Sequence, residues 1–136
     1  RDRSPSRGLG DVYKRQQLPR QTIRKYVGKG VEHLMAQTLE DSSFTDIPKA
    51  VELFKKHYSE NLIKHTDFYP YGREILEHFK NKKQAICSNK PENFVRRILE
   101  SLDGLQHFQA IVGGDSVKTK KPNPEGLDLI LKKLKM

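Results

Sequence analysis

The chain has 136 residues, enough for one average domain. With 35% apolar and 32% charged residues, a modest core must lie under a heavily charged surface. No apolar run approaches the roughly 18–20 residues that cross a bilayer, no secretory h-region is present, and the single Cys87 excludes an internal disulfide framework. Membrane, collagen-like and disulfide-scaffold classes fall away, and a reducing cytosol is the simplest setting.

The net charge of +9 is unevenly placed. Residues 1–20 carry six Lys/Arg against two acids, and residues 118–136 again carry six against two. The 97 residues between them hold 14 basic and 13 acidic groups. A phosphate-backbone surface would cluster its cations on one folded face. Cations at the two ends fit solvated termini better, so no nucleic-acid partner is expected.

Arg1 to Gln16 is rich in Arg, Ser, Gly and Pro with almost no apolar periodicity, which predicts disorder. The stretch resembles translated adapter sequence joined to a coding fragment, and a natural basic arm is the alternative. Residues 17–67 then read as a small helical segment. Val31, Leu34, Met35 and Leu39 make one helical stripe after the Gly28-Lys29-Gly30 loop. Asp46 can cap a second helix with Pro48 in its first turn, carrying Ala50, Val51, Phe54, Tyr58 and Leu62 on one face.

Over residues 68–136 the rhythm changes. Ile75, Leu76 and Phe79 mark a helix opened by Pro70-Tyr71-Gly72, and Gln84 to Cys87 reads as a short buried strand. Phe94, Val95, Ile98, Leu99 and Leu102 form the next helical stripe, after Pro91. Gln109 to Val112 is a second strand, closed by Gly113-Gly114. Asn123 and Pro124 start a last helix carrying Leu127, Ile130, Leu131 and Leu134. Helices alternating with short apolar strands predict an α/β fold with parallel pairing.

Chemistry concentrates where the two strands end. The first delivers Ser88 and Asn89, followed by Lys90 and Pro91, to its carboxyl end. A hydroxyl, an amide and backbone N–H groups ahead of a helix there suit an anion such as phosphate. Ser88 could equally be a plain helix cap. The second strand leads through Gly113-Gly114-Asp115, a pair of glycines suited to a tight turn, to Lys120-Lys121-Pro122-Asn123-Pro124. Prolines flanking Asn123 would stiffen the backbone and aim Lys121, whose ammonium could neutralise a phosphate or carboxylate.

Together, Ser-Asn-Lys-Pro-Glu at 88–92, Gly-Gly-Asp at 113–115 and Lys-Lys-Pro-Asn-Pro at 120–124 resemble haloacid dehalogenase-like phosphatases, most of all the phosphoglycolate phosphatase group. The glycines of Ile23 to Gly30 look like that family's cap loop. The resemblance runs from about residue 19 to the end. It implies a partial Rossmann-like parallel sheet core with a small helical cap subdomain. It further implies that Ser88 bonds the transferred phosphoryl group, that Asn89 and Lys90 lie beside the same phosphate, and that Lys121 steadies the nucleophilic carboxylate and phosphoryl charge. On the cap, Arg24 and Lys29 would read the substrate.

The family also uses an Asp-x-Asp nucleophile motif, and none occurs here; Asp41, Asp46 and Asp67 are isolated. The fourth motif would follow Met136. Nucleophile, general acid and side-chain magnesium ligands are therefore expected outside this chain, which reads as the middle of an enzyme, inactive and poorly stable by itself with an open edge at the 84–87 strand. The parent would hydrolyse a small phosphomonoester with Mg2+, phosphoglycolate ahead of a sugar phosphate or pyrophosphate. A non-catalytic phosphate-binding module is the competing class. The histidines show no zinc spacing, Cys87 reads as a packed thiol, and Gly28-Lys29-Gly30 is too short for a nucleotide loop.

Overall fold

The computed structural model describes residues 18–136, so the Arg1–Gln16 leader lies outside the described residues. The chain divides into two compact units, the first ending at Asn61 and the second spanning Leu62–Met136.

The first unit is helical: α1 (Arg20–Tyr26), α2 (Val31–Leu39) and α3 (Ile47–Asn61). Gly28 and Gly30 join α1 to α2 with φ of 113° and 99°, a backbone region that a Cβ disfavours. The expected stripes pack against each other: Met35, Leu39, Ala50, Val51 and Phe54 are buried, and Phe44, Ile47 and Leu53 close around them. The Tyr58 ring stacks on Phe54 with centroids 5.5 Å apart. Asp46 caps α3 as expected, its Oδ1 accepting from the Lys49 N–H at 3.0 Å. The buried Thr38 hydroxyl donates to the Leu34 carbonyl, so α2 hides no unmet polar group there.

The second unit is α/β. After α4 (Gly72–His78), strand β1 (Ala85–Cys87) leads through α5 (Glu92–Ser101) and a 3₁₀ turn (Leu105–His107) to β2 (Ala110–Val112), and α6 (Glu125–Lys133) follows. The strands pair in parallel, Ala85 with Ala110, Ile86 with Ile111 and Cys87 with Val112. Strand alternation then sorts the side chains. Ile86 and Ile111 meet Val95 and Leu99 of α5, with Phe68 and Phe108 beside them. Ala85, Cys87, Ala110 and Val112 meet Ile130, Leu129 and Leu134 from α6. The result is a helix–sheet–helix sandwich.

Two apolar stripes are only partly core: Ile130 and Leu134 of the last one pack as expected. Ile75 on α4 and Phe79 just after it, and Leu127 and Leu131 on α6, are exposed. Both sides of a two-stranded sheet are narrow, and Phe68, α5 and one row of α6 already fill them. The strand at 84–87, expected to be buried, is only half-buried, whereas every residue of β2 is buried.

Candidate active site

The site grows from the carboxyl ends of the paired strands. The Ser88 N–H donates to the Val112 carbonyl at 2.9 Å, extending the ladder one residue past β1. Its hydroxyl accepts from the Lys90 N–H at 3.1 Å and so shapes a tight local turn. Ser88 is not the cap of α5. That role falls to Asp115 from the other loop, whose Oδ1 accepts from the Glu92 N–H at 2.8 Å.

The two loops are laced together. The Gly114 N–H donates to the Lys90 carbonyl at 2.8 Å. A Cβ on Gly113 would stand 2.3 Å from the Glu92 nitrogen, and one on Gly114 would stand 2.2 Å from the Asn89 carbonyl oxygen. The tight turn expected here is present, the Ser116 N–H donating to the Gly113 carbonyl at 3.1 Å, but neither glycine has a positive φ, and it is the close approach of two backbones that excludes a Cβ. Ser116 adds a bridge: its hydroxyl donates to Glu92 Oε2 at 2.7 Å and accepts from the Gly113 N–H at 3.0 Å. The Ser116 hydroxyl, ahead of the Arg96 guanidinium, holds the Glu92 carboxyl below the usual carboxylate range.

The segment carrying the lysine is pinned from below and from the side. Glu125, in the first turn of α6, accepts the Lys118 and Thr119 N–H groups, both at 2.9 Å, and these bonds hold its carboxyl below the ordinary range. Asn123 Oδ1 accepts from the Glu125 N–H at 2.9 Å, the cap expected of it. The Lys121–Pro122 peptide is cis. Asn89 reaches across from the first loop: its Nδ2 donates to the Lys121 carbonyl at 3.2 Å, and its Oδ1 accepts from the Lys121 N–H at 2.9 Å.

Of the residues singled out in the sequence, Ser88, Asn89, Lys90 and Lys121 thus belong to one pair of laced loops. Arg24 lies on α1 and Lys29 in the glycine loop of the helical unit, both exposed. Periodicity missed Asp115, Ser116, Glu92 and Glu125 as organisers of the site. Their partners lie in other loops, and only an excess of short polar residues at strand ends hinted at them. Among the described residues no cluster of three or more His, Cys, Asp or Glu side chains could hold a metal ion. Magnesium, which the family resemblance implies, does not fit the residues gathered here and would take its side-chain ligands from others. Among the described residues, too, no helix is long and apolar enough to cross a membrane.

The chain as a whole is similar to known proteins. The chain is 40% identical over 104 residues to phosphoglycolate phosphatase of Aquifex aeolicus, which covers 75% of this chain and 47% of that protein. It is 34% identical over 120 residues to phosphoglycolate phosphatase of Pseudomonas fluorescens, covering 82% of this chain and 44% of that one. A crystal structure of a predicted phosphoglycolate phosphatase from Haemophilus somnus superposes with a TM-score of 0.84 at 25% identity, over 97% of this chain and 63% of the other. The chain spans about half the length of the curated relatives it matches. Residues 8–136 match the model of the haloacid dehalogenase-like hydrolases, and the chain belongs to that family.

Proposed function

We propose that this chain is part of a cytoplasmic phosphatase that hydrolyses a small phosphomonoester, phosphoglycolate first among the candidates, in a magnesium-dependent reaction. The observation that supports the reading is that the loops following two adjacent parallel strands, one carrying Ser88 and the other Lys121, are tied together by Asn89. An aspartate carboxylate would attack phosphorus, forming an aspartyl phosphate as the alcohol departs, and water would then break the acyl phosphate. The residues gathered here do the rest of the work. The Ser88 hydroxyl holds a phosphoryl oxygen, and Lys121 offsets the charge that builds there. In this reading the helical unit is the family's cap, and its Arg24 and Lys29 take part in substrate selection.

The described residues bring no nucleophilic aspartate to the site, so turnover is expected from a chain of full family length and not from these 136 residues alone. The test is phosphate release from phosphoglycolate, with a sugar phosphate and pyrophosphate alongside, with and without chelator. Chelator-sensitive release by the full-length enzyme, fastest with phosphoglycolate, is expected. Phosphate binding without any release would replace this reading with that of a non-catalytic module.

A further inference from the structure

We propose that Asn89 is a positioning residue that sets where the Lys121 ammonium stands, an assignment that rests on reading Lys121 as the charge stabiliser of a phosphatase. Lys121 is exposed, so side-chain packing does not fix it. Its place must come from its backbone. The Asn89 carboxamide grips that backbone at two points, accepting from the N–H at 2.9 Å and donating to the carbonyl at 3.2 Å, across 32 residues of sequence. One hydrogen bond fixes a distance. Two to the same residue also fix an orientation, and with it the direction in which the side chain leaves the backbone.

The grip has a firm base. Asn89 follows Ser88, whose N–H is part of the strand ladder, and precedes Lys90, whose carbonyl holds Gly114. Glu125 secures Lys118 and Thr119, but its bonds end there, two residues before Lys121. The loop that holds the phosphate is therefore also the ruler against which the lysine is set, and the amide's work is on Lys121 more than on the phosphate.

Two measurements test this, one of them independent of activity. In an enzyme of full family length, Asn89→Ala should speed hydrogen exchange of the Lys121 amide by about tenfold, the size of one modest hydrogen bond, while the Ser88 and Gly114 amides keep their rates. In the same enzyme, Asn89→Ala should lower kcat about tenfold, as expected for a misplaced catalytic group, with KM nearly unchanged. Made in a Lys121→Ala background, the same substitution should cost nothing more, because there is no ammonium left to place. Losses that multiply in the double variant, or a Lys121 amide whose exchange ignores Asn89, would overturn the proposal. If Asn89→Ala does not fold, Asn89→Asp keeps the acceptor, loses the donor and should give the same pattern at smaller amplitude. An unmodified full-length enzyme that releases no phosphate sinks the phosphatase reading, and the exchange measurement still decides the role of Asn89.

Discussion

The helical unit and the loop cluster at the strand ends are held by opposite means. In the first, Met35, Leu39, Ala50, Val51 and Phe54 exclude water from one shared apolar seam. In the second, Asp115, Ser116, Glu92, Glu125 and Asn89 hold irregular backbone through directional hydrogen bonds. Burial is non-directional and tolerates changes of shape. A polar lattice permits one arrangement and fails when a partner is lost.

The comparison breaks first at Lys121. In the full-length enzyme, Lys121→Ala should lower turnover about a hundredfold or more, the scale of losing a preorganised charge stabiliser, without moving the melting temperature. An enzyme indifferent to that change in a phosphate-release assay would remove Lys121 from the site. Met35→Ala, by contrast, should destabilise the helical unit by about 3 kcal/mol through its cavity. Denaturant unfolding would show the loss, and amide shifts at Ser88 and Lys121 should stay put.

Gly114→Ala should cost about 2 kcal/mol, since its Cβ would enter the Asn89 carbonyl. Unlike Met35→Ala, it should shift the Asn89 and Lys121 amide resonances. The smallest effect belongs to Glu125. Its carboxyl is held below the ordinary range in the folded chain, so its stabilisation is complete above that range and is lost as pH falls through the folded value. Glu125→Gln should therefore lower the melting temperature slightly at neutral pH and not at all in strong acid. A difference that persists in acid would show that the carboxylate charge is not what pins Lys118 and Thr119.

The amino-acid sequence by itself determined the local elements. The stripes of α2 and α3, the Asp46 cap, the parallel strands and the arrival of Ser88 and Lys121 in the loops that follow them all follow from local patterns that a few residues express. Tertiary structure decided the rest. Whether an apolar residue is covered depends on how much sheet there is to cover it, which leaves Ile75 and Leu127 outside. Why Gly113 and Gly114 must lack a Cβ depends on a second loop meeting them. That Asp115 caps α5 in place of Ser88, and that Asn89 grips Lys121, are pairings 23 and 32 residues apart. No local pattern encodes such a pair, because its two halves become neighbours only when the strands align and carry both loops to the same end of the sheet.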